Sequence, residues 1–185
     1  MDIHQKVSVF LQQSWDKRRT GKYGESIALL DQAEALCTEA DERFWGRIYH
    51  IRRQLEVDQE RHEQALPYAQ LSVKHYQASG DNQRIAHAIR HLADLEQELN
   101  QFDTSEAHYR EAIQIYINHE STTRSDLANC LRGYALLKEK QQDAELATGL
   151  WEEVKTLYEA CELYEGAKEA SKHLEVLHND ENQNS

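Results

Sequence analysis

Small and then larger side chains recur along this chain at helical spacing. Each stripe opens on a small residue, and the positions four, seven and eleven residues later lie on the same face of an α-helix. The stripes open at Ser26, Ala65, Ser105 and Ala147, separated by 39, 40 and 42 residues. The pattern predicts four packing helices that recur about every 40 residues.

A second amphipathic pattern precedes each stripe, with an apolar residue sixteen positions before the small one. Polar turn segments separate the periodic stretches. The pattern therefore predicts four helix–turn–helix units over 2–38, 43–78, 83–119 and 125–160. The first helices are predicted over 2–18, 43–58, 83–99 and 125–140, and the second helices over 23–38, 63–78, 103–119 and 143–160.

One more amphipathic face comes after the fourth unit. Its apolar positions are Leu163, Ala167, Ala170, Leu174 and Leu177. Because stacked repeats need a terminal element that covers the last apolar face, we expect a capping helix over 163–178. Residues 1–178 are then predicted to form a single domain. Residues 179–185 contain no apolar side chain and are predicted to be a disordered tail.

Composition agrees with an all-α chain and narrows the class of partner. The 185 residues include 7 Gly and 1 Pro, too few for the tight turns of an all-β fold. A formal charge of −12 disfavours binding to nucleic acid and to an anionic membrane. No stretch is apolar and long enough for a membrane span or a signal peptide.

The three cysteines, Cys37, Cys130 and Cys161, are an odd number without CxxC spacing. That usage is typical of buried free thiols in a reducing compartment, so we expect a cytoplasmic location.

Four segments resemble tetratricopeptide repeats. GKYGES at 21–26 and NQFDTS at 100–105 are similar to the turn and second-helix start of that family, and YREAI at 109–113 and WEEV at 151–154 are similar to its second helix. The period near 40 resembles the longer repeats of kinesin-light-chain-type arrays. The resemblance covers residues 7–160. It implies a right-handed α-solenoid whose first helices line a concave side, and a role in binding another protein.

Two departures from the family pattern stand out. Unit two carries Arg53 where the family usually has a small residue in the first helix. Unit one carries Gln13, Ser14 and Asp16 where core residues are expected. We interpret the first unit as a polar N-terminal cap or a slightly shifted register.

If the first helices line a groove, two positions per unit, three residues apart, point into it. In this acidic chain those positions carry cationic or hydrogen-bonding side chains, and a further histidine lies beside them. We therefore predict a groove for an acidic peptide or a carboxylate, held by charge-assisted hydrogen bonds. The alternative is that these are solvated arginines paired with nearby glutamates. The candidate groove residues are Arg47, His50, His87, Arg90, His91, Asn129 and Arg132.

Other candidate chemistry is weaker. His87 and His91 have a metal-ligand spacing, but the sequence offers no obvious third ligand, so no metal and no cofactor is predicted. Trp151 lies on a packing stripe and is predicted to be core, whereas Trp15 could lie exposed at one end of the groove. The chain has no nucleotide-binding, nucleophile-elbow or kinase motif, so we predict that it is not an enzyme.

The sequence thus favours a protein-interaction module that binds a peptide or a helix of an unidentified partner. Two alternatives stay open: a solenoid that self-associates as a homodimer, and a regulator that senses a peptide or small ligand.

Overall fold

The structure is a computed structural model that describes the backbone of residues 2–120 and 122–183 and side chains up to residue 179. Within this part of the chain every regular element is an α-helix. The all-α prediction is therefore confirmed. The helices are α1 (Ile3–Arg19), α2 (Tyr23–Glu34), α3 (Glu42–Val57), α4 (His62–Ser79), α5 (Asn82–Glu98), α6 (Phe102–Asn118), α7 (Arg124–Lys140), α8 (Ala144–Ala160) and α9 (Tyr164–Gln183).

The helices pair as the repeats predict. Each first helix packs on the second helix of its own unit, and each second helix also contacts the first helix of the next. Direct contacts join α1 to α3 and α5 to α7. First helices of successive units therefore lie side by side along one face, which we call the first-helix face.

The predicted stripes form the interior. Tyr76, Tyr116, Trp151 and Tyr158 are all buried, and Trp151 is fully enclosed. The buried side chains form one cluster over α1–α3 and a larger one from α4 to α9, into which α9 contributes Ala167 and Ala170. The last helix therefore covers the apolar face of the fourth unit.

The polar residues of the first unit are part of this packing. Ser14 is fully buried, and its hydroxyl lies 2.9 Å from that of Ser26, the small residue that opens the stripe. In unit three the Ser105 hydroxyl donates to the Ala93 carbonyl across 2.9 Å. Small hydroxyls at the helix crossing allow close approach and satisfy their own hydrogen bonds.

The turn that ends each first helix is nearly the same in every unit. Five positions before each small residue the backbone is left-handed, at Gly21, Glu60, Asn100 and Gln142, with φ between 58° and 72°. The next residue donates its N–H to a carbonyl five positions back, for example Asp143 to Lys138 across 3.0 Å. Glu162, between α8 and α9, has φ 58° and the same arrangement, so α9 leaves α8 as a second helix leaves a first.

The exposed turn residue Gln142 gives a stability prediction. A side chain in the left-handed region costs about 1 kcal/mol that glycine avoids. We expect Gln142→Gly to raise the free energy of unfolding by ~0.5–1 kcal/mol, measured by urea denaturation. The control is Gln141→Gly, because Gln141 caps α7 in a right-handed conformation and gains nothing from glycine there. Equal effects of the two substitutions would contradict the argument.

Four details differ from the sequence predictions. Helix α2 ends at Glu34 rather than 38, because the backbone N–H and hydroxyl of Thr38 bond to the Asp41 carboxylate and turn the chain. The backbone of α9 continues to Gln183, because adding residues to a formed helix costs little. The predicted disordered tail is thus helical over 179–183, and residues 184 and 185 lie outside the described residues. Cys130 is buried, but Cys37 and Cys161 are partly exposed.

In the described part of the chain, none of the helices combines the length and the apolarity that crossing a membrane requires.

Candidate functional site

The first-helix face gathers six basic side chains where α1, α3 and α5 meet. On α3, residues three apart fall on one face of the helix, and on α5 the spacings of three and four do the same. The stacking of unit two on unit three then brings the two sets together. We call the group the His–Arg cluster; its members are Arg47, His50, Arg53, His87, Arg90 and His91.

The three imidazoles form the centre of the cluster. The ring of His50 lies 5.3 Å from that of His87 and 5.5 Å from that of His91, and the rings of His87 and His91 are 4.4 Å apart. Trp15 of α1 stacks on His50 with 6.0 Å between ring centroids. His50 is therefore buried between three first helices, rather than projecting freely into a groove.

The three arginines of the cluster stand out because they have no acidic partner. Most arginines here form ion pairs, for example Arg18 with Asp58 and Arg52 with Asp31 and Glu34. Among the described side chains, the ion pairs include neither Arg47 nor Arg53 nor Arg90.

Each of these arginines makes a weaker contact instead. Arg47 lies over the Trp15 ring at 4.7 Å, Arg90 is 3.0 Å from Nε2 of His91, and Arg53 donates to the side chain of Gln54 across 2.6 Å. The Nε atoms of Arg53 and Arg90 are buried without a hydrogen-bond partner. Since Arg53 is only 4% exposed, its charge is removed from water with little compensation.

Two carboxylates lie near the histidines of the cluster, and both already contact other residues. Asp94 accepts from the Tyr109 hydroxyl across 2.8 Å and lies 3.0 Å from Nδ1 of His91. Asp126 accepts from the Thr123 hydroxyl across 2.8 Å. It lines a cavity of about 280 Å³ together with Arg47, His50 and His87. A third carboxylate, Asp58, also acts on Arg53 but is paired with Arg18. Three guanidinium groups therefore face two carboxylates that have no arginine partner, so the cluster is locally positive on a chain of net charge −12.

The titration of the histidines and of Arg53 shows the same imbalance. Burial, and then the nearby arginines, hold the pKa of His50 and of His91 well below the usual value. The same causes lower the pKa of His87 to about 4. Burial also lowers the pKa of Arg53 to about 10. Arg90 differs: burial lowers its pKa, but Asp94 and its other neighbours outweigh burial, so the pKa is raised. The imidazoles are therefore neutral at pH 7, and the positive charge is carried by the guanidinium groups.

The fourth-unit candidates are engaged elsewhere. Arg132 forms a two-point ion pair with Glu169 of α9, at 2.7 Å and 2.5 Å. Asn129 accepts from the Tyr158 hydroxyl across 2.7 Å. The structure thus brings five of the seven predicted groove residues together in the His–Arg cluster and places these two against α8 and α9.

Arg53 is absent from the sequence-based groove residues, and Trp15 is predicted only as an exposed residue at one end of the groove. Arg53 stands out in the sequence only as a departure from the repeat pattern, and its size at a normally small position is the available signal. Trp15 is half-buried, so it is neither an exposed nor a core residue. The Arg18 guanidinium lies 4.1 Å from its ring centroid, and Arg47 and His50 also contact the ring.

The premise for excluding a metal was wrong. His50 is a third imidazole beside His87 and His91, and one ligand atom from each lies within 4.8 Å of the others. The donor set is compatible with a zinc-type ion after small side-chain rotations. The surrounding guanidinium groups oppose a dication, since like charges at this range repel by several kcal/mol even at an effective dielectric constant of about 20.

A larger open cavity adjoins the cluster. It has a volume of about 850 Å³ and lies between α1, the start of α3 and the start of α5. Arg47 and Arg84 line both cavities, so the two are continuous along the first-helix face. The face thus offers an extended depression whose smaller part is lined by Arg47, His50 and His87 of the His–Arg cluster.

Comparison with known proteins agrees with the repeat architecture. Residues 54–118 match the family described as Tetratricopeptide repeat, which confirms the predicted resemblance there. None of the curated proteins matches the chain.

Solved structures share the fold at low identity. A signal transduction ATPase with numerous domains from Pyrococcus horikoshii, which carries a tetratricopeptide repeat sensor, is 15% identical with a TM-score of 0.84 over 96% of this chain and 28% of its own. The apo form of RapI is 18% identical with a TM-score of 0.80 over 92% of this chain and 62% of its own. A protein described as a kinesin light chain from Podosopora anserina is 13% identical with a TM-score of 0.61, over 97% of this chain and 98% of its own. The chain thus spans less than two thirds of the first two proteins.

Proposed function

We propose that this chain is a tetratricopeptide-repeat protein over its whole length, and that it is a non-catalytic interaction module whose first-helix face binds an acidic peptide or helix. Proteins of this repeat family generally bind other proteins. The observation that supports an acidic ligand is that Arg47, Arg53 and Arg90 lack carboxylate partners on a strongly acidic chain.

The physical reason is the cost of an unpaired buried charge. A guanidinium group withdrawn from water is destabilising unless a carboxylate or another acceptor replaces the lost hydration. Arg52, one residue from Arg53, shows the usual arrangement, with two carboxylates at 2.6 Å and 2.8 Å. A side chain of an acidic partner would supply to the cluster what Asp31 and Glu34 supply to Arg52.

The proposal predicts how a labelled hexaglutamate peptide behaves in fluorescence polarisation. The peptide should bind saturably, and its affinity should fall as the salt concentration rises. In the double variant that combines Arg47→Glu and Arg90→Glu, the affinity should fall at least tenfold. The charge-matched control is Arg61→Glu with Arg110→Glu, because those side chains pair with Glu56 and Glu106 at the surface. We expect the control to change affinity less than threefold. Circular dichroism should show equal helicity in all three proteins.

Two results would contradict the proposal. Equal loss in both double variants would mean that only net charge matters. A dimer in light scattering that buries the first-helix face would instead support the self-associating solenoid. A sensing role, which the Pyrococcus protein's description gives to its own repeats, uses the same face and differs only in what the bound peptide controls.

A further inference from the structure

The deepest part of the first-helix face is more specific than a charged groove. Arg53 is 4% exposed and its Nε atom has no hydrogen-bond partner. Arg90, on the first helix of the next unit, has a second buried Nε without a hydrogen-bond partner, and its charge acts on Arg53. Two guanidinium groups with free donors, on two rigid helices, are a built arrangement for one compact acceptor.

The neighbouring imidazoles add donors and set the size of the ligand. Their rings lie within 5.5 Å of one another, so only a small group fits between them and the guanidinium groups. Neutral His50 and His87 still carry one N–H each, whereas the N–H of His91 is held by Asp94. The side chain of His91 is 20% exposed, which leaves the cluster open from the groove.

Resting on the proposed function, the geometry points to a receptor for a single oxyanion in the His–Arg cluster, made by Arg53, Arg90 and the three histidines. The ligand is a carboxylate or phosphate group, and in the bound partner it anchors one acidic residue while the rest of the segment lies along the open cavity. Arg47, at the mouth of the cluster over Trp15, guides the anion inward.

The charges around the cluster favour an anion over a metal ion. The charges of Arg47, Arg53 and Arg90 act on the three histidines. The opposing carboxylates are Asp126, which acts on His87, and Asp94, which contacts His91. Asp94 is already held by Tyr109 and His91. A bound oxyanion brings the local charge to near balance, whereas a dication adds to the excess. Metal uptake is therefore the competing outcome of the test.

The test follows the histidine ring resonances by NMR during titration with inorganic phosphate, with hexaglutamate, and with zinc alone. We expect saturable shifts in the signals of His50, His87 and His91. Shifts with hexaglutamate alone identify a carboxylate of the partner as the ligand, and shifts with phosphate as well identify a general oxyanion site. Saturable shifts with zinc only, or with none of the three, would overturn the inference.

The variant Arg53→Met separates this inference from the proposed function. It removes the deep guanidinium group but leaves Arg47 and Arg90, so hexaglutamate affinity should fall at least fivefold and the phosphate response should disappear. The neighbouring variant Arg52→Met breaks only the pairs with Asp31 and Glu34, and should leave both responses within twofold. If Arg53→Met binds hexaglutamate with the same affinity as the unaltered protein, the result contradicts the deep oxyanion site but leaves the proposed groove intact.

Thermal melting shows whether a variant that loses binding is still folded, so a loss of binding can be told from a loss of structure. Replacing a buried unpaired charge by an apolar side chain of similar length is expected to leave the melting temperature unchanged or higher. Phosphate should raise the melting temperature of the unaltered protein and of Arg52→Met, but not that of Arg53→Met. Measurable and equal phosphate stabilisation of all three proteins would overturn the deep site, whereas no stabilisation of any of them corresponds to the case in which only hexaglutamate binds.

Discussion

Gly133→Ala is expected to destabilise the protein by about 2–3 kcal/mol, although alanine favours a helix more than glycine does. A Cβ atom on Gly133 would lie 2.7 Å from the hydroxyl oxygen and 2.8 Å from a ring carbon of Tyr109. Tyr109 cannot easily move, because it is 1% exposed and its hydroxyl is held by Asp94 and Gln97. The added methyl group must therefore displace a buried ring or separate α6 from α7.

The matched control lies in the next helix. Gly149 of α8 is exposed, and a Cβ atom there would meet nothing within 4 Å. Gly149→Ala should therefore stabilise by ~0.5–1 kcal/mol through helix propensity alone. Urea denaturation of the two variants gives the comparison, and a loss of about 2 kcal/mol corresponds to a fall of roughly 4–8 °C in melting temperature for a chain of this size. A stabilised Gly133→Ala protein would show that α6 and α7 are further apart than described.

The same close approach recurs along the array. Tyr76 lies against Gly46 and Tyr158 against Gly166, each with a ring atom within 2.7 Å of where a Cβ atom would stand. Tyr76 and Tyr158 lie eleven residues after the small residues of their stripes, so the sequence pattern identified them as packing residues. Their glycine partners could not be predicted, because the pattern does not say which position of a neighbouring helix a ring will cross.

Periodicity also explains why the helices were predictable and the site only in part. Close approach of two helices requires a small side chain at the crossing point. The small residues of the stripes therefore mark the helix crossings directly, at Ser26, Ala65, Ser105 and Ala147. The position of His50 beside His87 and His91 depends instead on the rotation of α3 against α5, which local spacing does not determine. The sequence therefore predicted basic residues on this face but missed that they converge, and missed the buried Arg53 that completes the cluster.

Lowering the pH from 7.5 to 5 is expected to destabilise the protein through the His–Arg cluster. The native pKa of His87 is about 4, and those of His50 and His91 also lie well below the unfolded value near 6.5. Between those limits the unfolded chain binds more protons than the native protein, so the free energy of unfolding falls as the pH falls. The loss begins near pH 6.5 and continues towards pH 4.

His87→Gln measures this contribution. For a native pKa of about 4, linkage gives about 2 kcal/mol of stability lost by pH 5 from this residue alone. We expect the loss between pH 7.5 and pH 5, measured by urea denaturation, to be smaller in His87→Gln by that amount. His87 suits the test because it is only half-buried, whereas replacing the buried His50 would disturb the core as well.

The control is a histidine whose shift has the opposite sign. The hydrogen bond that the His108 ring donates to the Glu96 carboxylate raises the pKa of His108. This residue therefore adds stability as the pH falls through its native pKa. Removing it in His108→Gln should therefore make the acid loss steeper, while His87→Gln makes it shallower. Because both variants remove one titrating imidazole, the opposite changes in slope cannot come from net charge. Equal slopes in the two variants would show that burial beside Arg90 does not suppress protonation of His87.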